Sequence, residues 1–338
     1  MTTNLYNLTE DSMRYVLSYL EINEILILRK VSWNIRYTID EINPNFNIRS
    51  VSIAPDSKKI VLTFVTDRNW TITYRESSMG QLRGCMVTKE NYNGGYFLKE
   101  GEYMDVAAKD LEIILSNRKS VLEELVIKLD SNEEINNKIM TAISTALESN
   151  LQQLKVKKLE MDVTKQAQIF EVFRCINPEN LKIIKLSQPS YLFVSELLET
   201  NGACELEQWK QAEKLEIENL TIPDIHQNLT HFKSFNVKVN KITPDDLWFL
   251  KEKLKKSPTF EEASIRYVSF EDSDRLPELF SGFEYTRDTN KSCIFHFSDT
   301  NRYLVFKLAT FRVLLLIRNL KESELTDRIA KDAIFIKE

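Results

Sequence analysis

The first patterned stretch of the chain carries apolar residues at the spacing of an amphipathic helix. The recurring positions are Met13, Val16, Leu17 and Leu20. Thr9 can cap this helix, because its hydroxyl can accept a hydrogen bond from a backbone N–H of the first turn. Glu10 and Asp11 then lie in that turn, where negative charge is favourable. The pattern therefore predicts a helix that begins directly after Thr9.

A second apolar stripe follows a polar break at residues 21–23. Asn23 is predicted to cap the second helix, and Asn43-Pro44 to end the segment. The stripe comprises Ile25, Leu28, Ser32, Ile35 and Ile39, and further apolar surface comes from Leu26, Ile27 and Val31. Two or three helices this short cannot bury all of their apolar surface against one another. The surplus must contact the rest of the chain or another protein, and composition alone favours the rest of the chain.

After these helices the hydrophobic period changes to two, which predicts strands. Alternation is visible at 48–53, 59–64 and 70–74, with a turn at 66–69. Residues 92–96, Tyr-Asn-Gly-Gly-Tyr, predict a hairpin, because Asn-Gly tolerates the positive φ angles of a tight turn. We expect a small antiparallel sheet here.

Beyond Gly101, apolar residues recur at offsets 0, 2 and 5. The clear copies are Leu154/Val156/Leu159, Leu181/Ile183/Leu186 and Leu215/Ile217/Leu220, and the weaker ones are Leu125/Ile127, Phe235/Val237 and Ala263/Ile265/Val268. This spacing is typical of the strand in a leucine-rich repeat. The first members lie 20 to 34 residues apart, so the repeat is irregular. A chance pattern in a general α/β domain stays open as an alternative.

Helical patterns fill several intervals of this repeat. The clearest begins with Thr243 as cap and Pro244 in the first position, and it ends at Ser257-Pro258. Further helical faces are Met104–Leu115, Ile169–Ile176 and Val194–Leu198, and closing strands are predicted at 293–297, 303–308 and 311–317. Strand–helix alternation predicts parallel strands on one side and helices on the other. The fold class is therefore mixed α/β, with N-terminal helices, a small antiparallel sheet and an irregular strand–helix solenoid.

Composition excludes several classes of function. The 338 residues carry a net charge of −5, with only 7 glycines, which disfavours Gly-rich phosphate loops. No basic face for nucleic acid appears, and the densest cationic cluster is predicted to be a solvated helix end. Its members are Lys251, Lys253, Lys255 and Lys256. No secretory signal or run of about 20 apolar residues is present, so we expect an intracellular protein, cytoplasmic or nuclear, without membrane contact.

Catalytic and metal-binding motifs are also missing. The four cysteines, Cys85, Cys175, Cys204 and Cys293, lack zinc-ligand spacing and are predicted to be reduced thiols. The histidines, His226, His231 and His296, are predicted to be structural or on the surface. No Walker loop, G-x-S-x-G elbow or H-E-x-x-H motif occurs. We therefore expect no cofactor and no catalysis, with an enzyme of unfamiliar class as an open alternative.

Two segments resemble known domains. Leu8–Asp11 with Val16–Leu20 and Ile25–Ser32 resembles an F-box, and the continuation to Asp40 is similar to the variant found in the large nematode F-box group. The chain has Thr9 where that family usually has Pro, and Trp33 comes earlier than the usual Trp. Residues 206–217 are similar to the central signature of the FTH domain that accompanies nematode F-boxes. Trp209 in this signature is predicted to be a buried packing residue.

The resemblance implies a trihelical module that binds the Skp-type adaptor of a cullin-based ubiquitin ligase. By position, its adaptor-contact candidates are Leu8, Val16, Leu17, Leu20, Ile25 and Leu28. The implied domains are an F-box-like module at 1–44, a strand-rich linking segment at 45–103 and an FTH or degenerate leucine-rich-repeat-like domain at 104–338.

The implied function is a non-catalytic substrate-recognition subunit that holds an unknown target protein through the repeat domain. Candidate positions for the target-binding face are Lys155, Lys182, Glu216 and Asn236. A repeat-based binding protein that works outside any ubiquitin ligase is the alternative.

Overall fold

The computed structural model describes most of the chain and divides it into two compact units. The described residues are 8–42, 44, 46–79, 82–90, 95–98, 101–116, 121–148, 153–189, 191–192, 196–199, 202–223, 225–226, 229–280, 291–296, 302–309, 311–319 and 333–336. The first unit comprises residues 1–157 and 174–180, and the second comprises residues 158–173 and 181–338. The predicted division into three domains is a different partition and stays a prediction.

The first unit combines three N-terminal helices with a sheet and two longer helices. Its helices are α1 (Glu10–Ser18), α2 (Ile22–Val31), α3 (Trp33–Ile42), α4 (Tyr103–Ser116) and α5 (Glu133–Glu148). Its strands are β1 (Ser50–Asp56), β2 (Lys59–Val65), β3 (Asn69–Met79), β4 (Leu82–Lys89), β5 (Gly95–Leu98) and β6 (Leu122–Ile127). The strand order is β6-β1-β2-β3-β4-β5, antiparallel except for the parallel pair β1 and β6.

The predicted start of the first helix is confirmed, but that of the second is wrong. The Thr9 hydroxyl accepts a hydrogen bond from the Ser12 backbone N–H at 3.3 Å. Helix α2 is capped by Glu21 instead of Asn23, because the Glu24 carboxylate accepts from the Glu21 backbone N–H at 2.8 Å in a capping box. A glutamate pair at this spacing therefore outcompetes the asparagine two residues later.

The second predicted helix is two helices, because the chain is extended at Ser32. Its backbone angles are φ −158° and ψ 158°, and its hydroxyl accepts from the Ile35 backbone N–H at 3.2 Å. A serine that bonds its local backbone favours a helix start over a helix interior. The trihelical arrangement that the resemblance implied is thus present.

The predicted antiparallel strands are confirmed as β1, β2 and β3. Strand β4 was not predicted, since its sequence mixes polar and apolar residues without clear alternation. Strands β4 and β5 pair antiparallel. The predicted hairpin turn falls mostly on residues 91–94, which lie outside the described residues.

In its described part, the second unit contains a large sheet, in which five parallel strands are followed by antiparallel strands and one further parallel pair, and a separate two-stranded parallel sheet. Its strands are β7 (Val156–Asp162), β8 (Ile183–Ser187), β9 (Glu196–Leu197), β10 (Lys214–Glu218), β11 (Leu220–Thr221), β12 (Ser234–Ile242), β13 (Glu262–Phe270), β14 (Lys291–His296), β15 (Arg302–Ala309), β16 (Arg312–Asn319) and β17 (Ala333–Ile336). Its helices are α6 (Gln166–Cys175), α7 (Glu207–Gln211), α8 (Pro244–Lys255) and α9 (Leu276–Leu279), with short 3₁₀ turns at Ala203–Glu205 and Ser273–Arg275. The order is β17-β14-β15-β16-β13-β12-β10-β8-β7.

The repeat pattern identifies the parallel strands of this sheet. Strands β7, β8, β10, β12 and β13 pair parallel in chain order, and each contains buried residues of the predicted pattern, although Ile183 on β8 is only half-buried. Val268 departs from the pattern, because β13 continues past it and strand alternation directs its side chain to the exposed face. The leucine-rich-repeat-like solenoid as a whole stays a prediction.

Three further predictions in this unit have clear outcomes. The helix after Thr243 is confirmed as α8, with Pro244 first and a capping box between Thr243 and Asp246. The closing strands are confirmed as β14, β15 and β16, which pair antiparallel. The helix at Val194–Leu198 is wrong in its described part, because Glu196–Leu197 pairs with β11 as a short strand. Residues 193–195 lie outside the described residues.

A buried carboxylate connects the N-terminal helices to the rest of the first unit. Asp110 on α4 accepts hydrogen bonds at 2.7 Å from the Tyr74 hydroxyl of β3 and at 2.7 Å from the Lys30 ammonium of α2. Asp110 and Tyr74 are buried, and Lys30 is half-buried. Because a charged acceptor in a low-dielectric setting is favourable only with good partners, this contact fixes α2 against α4 and the sheet.

Asp110→Ala removes the acceptor that Lys30 and Tyr74 share. We expect it to lower the free energy of unfolding by about 2–4 kcal/mol, since it removes the partner of a largely desolvated ammonium. Urea denaturation measures this, with Glu112→Ala on the same helix as the matched control, expected to change stability by under about 0.5 kcal/mol. If both substitutions lower the free energy of unfolding equally, the contact of Asp110 with Lys30 and Tyr74 makes no specific contribution to stability.

Candidate functional site

The N-terminal helices carry an apolar surface that no described residue covers. Its members are Tyr15 and Tyr19 on α1, Ile27 and Val31 on α2, and Trp33 and Tyr37 on α3. Trp33 is 71% exposed and Val31 is 62% exposed, which is unusual for large apolar side chains. We call Ile27, Val31, Trp33 and Tyr37 the α2–α3 ridge. Contiguous exposed apolar side chains of this kind mark interaction surfaces.

Local sequence spacing builds the α2–α3 ridge. Ile27 and Val31 are four residues apart on α2, and Trp33 and Tyr37 are four apart on α3, so each pair lies on one helix face. The rings of Trp33 and Tyr37 stack with centroids 5.7 Å apart and planes 18° apart. Only Ser32 separates the two helices, so Val31 and Trp33 are close neighbours in the chain.

An ion pair holds the two helices of the ridge together. The Arg29 guanidinium donates to both carboxylate oxygens of Asp40, at 2.7 and 2.8 Å. The Arg36 side chain donates to the Arg29 backbone carbonyl at 3.0 Å. A two-point arginine–carboxylate contact defines orientation better than a single contact, so the ridge has a defined shape before any partner binds.

The tyrosines of α1 form a separate edge of the exposed surface. The rings of Tyr15 and Tyr19 meet edge to face with centroids 4.9 Å apart, and the Tyr19 hydroxyl donates to the Tyr15 hydroxyl at 2.8 Å. This hydrogen bond, followed by partial burial, raises the pKa of Tyr19 above its ordinary value. Tyr19 therefore stays a neutral hydrogen-bonding group at physiological pH.

The six predicted adaptor-contact residues divide by burial. Leu17 and Ile25 are buried in the core of the helices, which also contains Met13, Ile35, Ile39 and Ile42. Leu8, Leu20 and Leu28 are half-buried against that core, and Val16 is half-buried. Their contact with an adaptor stays a prediction. Sequence periodicity selected the inward stripe, whereas the ridge lies off the stripe and is marked by the aromatic pair Trp33 and Tyr37.

The histidines occupy structural positions where they are described. The His226 Nε2 lies 2.5 Å from the Asp246 carboxylate, next to the Phe249 ring. The His231 Nε2 lies 2.9 Å from the Trp209 backbone carbonyl, and the Trp209 side chain is buried as predicted. The side chain of His296 lies outside the described residues. Across the described ranges, no group of three or more His, Cys, Asp or Glu side chains could hold a metal ion.

The predicted solvated lysine cluster is wrong for Lys251. Its side chain is buried on α8, with the ammonium 3.7 Å from the centroid of the Trp248 ring and 4.8 Å from that of the Phe295 ring. The Glu252 carboxylate lies 3.4 Å away. Aromatic faces attract a cation, which explains how a lysine in this position can be covered.

Two domain families match this chain. Residues 5–47 match the F-box domain and residues 137–282 match the FTH domain. The chain therefore carries an F-box domain followed by an FTH domain, which confirms the resemblance to nematode F-box proteins. It is similar to F-box A protein 224 of Caenorhabditis elegans, with 24% identity over 296 residues that cover 84% of this chain and 71% of the relative. No solved structure matches.

None of the described helices combines the length and the apolar character needed to cross a bilayer.

Core and ridge residues of the F-box should differ in their effect on stability. We expect Ile25→Ala to lower the free energy of unfolding by about 2–4 kcal/mol, because it leaves a cavity among buried aliphatic side chains. We expect Trp33→Ala to lower it by under about 1 kcal/mol, because this side chain is mainly in solvent. Thermal and urea denaturation of both variants test this, and a Trp33 effect as large as that of Ile25 would contradict the assignment.

Thiol reactivity should separate the cysteines. Burial raises the pKa of Cys85 to about 11 and that of Cys293 to about 12, so both are neutral thiols at pH 8. Cys204 is buried, whereas Cys175 is partly exposed. Because the thiolate is the reactive form, we expect a maleimide at pH 8 to label native Cys175 first and the other three only after denaturation. Peptide mass spectrometry reads out the order, and early labelling of Cys293 would contradict its burial.

Proposed function

We propose that the chain is a substrate-recognition subunit of a cullin–adaptor (SCF-type) ubiquitin ligase. In this proposal the F-box domain binds a Skp-type adaptor and, through it, a cullin, while the strand-rich C-terminal region holds a target protein. The observation that carries it is the exposed α2–α3 ridge, located in the segment that matches the F-box domain. The comparison with the F-box A relative supports the same assignment.

The ridge supplies the kind of surface that adaptor binding requires. Ile27, Val31, Trp33 and Tyr37 present aliphatic and aromatic groups that are already ordered. A few such anchors, including tryptophan and tyrosine, carry most of the binding energy in a protein interface of about 800 Å² per partner. The predicted contacts Leu8, Leu20 and Leu28 would extend it, whereas Leu17 and Ile25 would act by holding the helices in place.

Target binding is proposed for the open face of the second unit's parallel sheet. Glu216 on β10 and Asn236 on β12 are two of the candidate target-binding positions, and they are register partners. Lys182 is exposed immediately before strand β8. The candidate position Lys155 is exposed too, but it belongs to the first unit and stays a prediction. The opposite face of these strands is buried, which supports the open face as the surface that receives a partner.

The proposed contribution to ubiquitin transfer is proximity. Holding a target beside a ubiquitin-charged enzyme raises the effective concentration of the reacting groups, and it needs no bond-making residue in this chain. We assign one role to each of the domains predicted above. Residues 1–44 bind the adaptor, residues 45–103 link the two binding regions, and residues 104–338 bind the target. The alternative function, a binding module outside any ligase, keeps the target face but lacks adaptor binding.

Adaptor binding gives the direct test. We expect the purified chain to bind a Skp-type adaptor in isothermal titration calorimetry. We expect Val31→Glu to weaken that binding at least about tenfold, because it inserts an unpaired charge into an apolar interface. Leu20→Arg should weaken it by a similar mechanism.

The matched control is Val268→Glu, which introduces the same charge at another exposed valine, 57% exposed, on β13. It should leave adaptor affinity unchanged within about twofold. Absence of wild-type binding, or equal binding of Val31→Glu, would overturn the proposal in favour of a module that works outside the ligase.

A further inference from the structure

Three cationic side chains form a continuous row across neighbouring strands of the second unit. Lys238 on β12 is the register partner of Arg266 on β13, and Arg266 is the register partner of Arg312 on β16. Register partners project from the same sheet face, about 4.8 Å apart from strand to strand. We call these three residues the cationic strip. They lie on the sheet face that carries Asn236 and its partner Ser264, one alternate position further along the strands.

The strip is not neutralised by the described part of the chain. None of Lys238, Arg266 and Arg312 forms an ion pair with a described carboxylate. Within the described residues, the Arg312 Nε donates a hydrogen bond to the Ser264 hydroxyl at 3.0 Å. The Nε of Arg266 is buried and has no hydrogen-bond acceptor among the described residues.

Neighbouring strands on the same face show the opposite arrangement. Lys185 on β8 lies 3.3 Å from the carboxylate of Glu218 on β10 and 3.7 Å from that of Glu160 on β7. Cross-strand pairs of opposite charge stabilise a sheet, whereas like charges directly opposite each other destabilise it. The three cations of the strip therefore repel one another, and a bound anion would reduce this repulsion. The strip is positively charged although the whole chain carries a net charge of −5.

Two exposed apolar side chains flank the strip. Val268 follows Arg266 by two residues on the same face and is 57% exposed. Phe311 directly precedes Arg312, is 56% exposed, and has a positive φ of 59°. Bulky residues rarely adopt this backbone region, and the conformation is held by the Tyr267 N–H, which donates to the Phe311 carbonyl at 3.1 Å.

We propose that the cationic strip, with Val268 and Phe311, is a docking surface for an extended acidic segment of the target protein. Such a segment places alternate side chains about 7 Å apart, so two carboxylates fit the length of the row. Arginine forks recognise carboxylates by paired hydrogen bonds, and the exposed Arg312 side chain offers such a fork. This inference rests on the proposed function, because it specifies the chemistry of the target.

A protein segment fits this surface better than a nucleic acid. The row ends after three cations, and carboxylates of Glu216 and Glu218 follow on the adjacent strand β10. A long polyanion would meet these negative charges, whereas a short acidic segment need not extend so far. The apolar flanks give a peptide's aliphatic side chains a place to bind.

The test uses the full chain and a short fluorescein-labelled peptide that alternates Glu with Val. We expect binding in fluorescence anisotropy that weakens as salt increases, because exposed charges are screened over about 8 Å at physiological ionic strength. The combined substitution Lys238→Gln, Arg266→Gln and Arg312→Gln should weaken binding about tenfold or more. The control Lys214→Gln, an exposed lysine on β10, should change it less than about twofold.

Two controls accompany the binding assay: the unfolding temperature of the triple variant and the binding of a peptide without carboxylates. The unfolding temperature of the triple variant should stay level or rise, because the repulsion between the three cations is removed. If the unfolding temperature falls, the binding assay uses the single variant Arg312→Gln, whose side chain is exposed, instead of the triple variant. A peptide with Gln in place of Glu should bind much more weakly. Equal binding of the Gln peptide, unchanged binding by the variants, or tighter strip-dependent binding of single-stranded oligothymidylate would each overturn the inference.

Adaptor binding separates this inference from the function on which it rests. The strip variants should bind the Skp-type adaptor like the wild type, because their substitutions lie far along the chain from the α2–α3 ridge. Failure of peptide binding with intact adaptor binding refutes the strip alone. Failure of wild-type adaptor binding refutes the ligase function.

Discussion

The core of the F-box helices is the constraint on which the functional surface depends. Leu17, Ile25 and Ile39 are buried together, and this packing leaves little rotational freedom to α1, α2 and α3. Once these residues face inward, helix geometry forces residues on the remaining faces outward. Val31 and Trp33 are exposed for this reason. The buried Asp110 then fixes the same helices to the first unit through Lys30.

A second constraint of the same kind governs the parallel strands. Each strand has a buried face filled by the alternating residues of the repeat, such as Val237 on β12 and Ile265 on β13. Strand alternation then leaves Lys238 and Arg266 on the other face. In both units, the residues available for binding a partner are therefore those whose side chains do not pack into the core.

Much of the fold could be predicted because burial leaves a periodic mark in the sequence. The offset pattern identified the parallel strands, and the alternation at 48–74 identified the first sheet. Errors arose where local hydrogen bonds compete, as at Glu21 and Ser32. The functional surfaces were harder to predict, because exposure and charge pairing depend on register between distant segments. Lys251, covered by aromatic rings, shows how a charge pattern alone misleads.

Hydrogen–deuterium exchange on a complex with a Skp-type adaptor tests the central claim most directly. Backbone amides that are covered in an interface exchange more slowly than in the free chain. We expect adaptor-dependent protection centred on the peptides of α2 and α3 that contain Val31 and Trp33, with no change in the strands of the second unit. Complex formation without protection there, or protection confined to the second unit, would contradict the assignment of the ridge as the adaptor-binding surface.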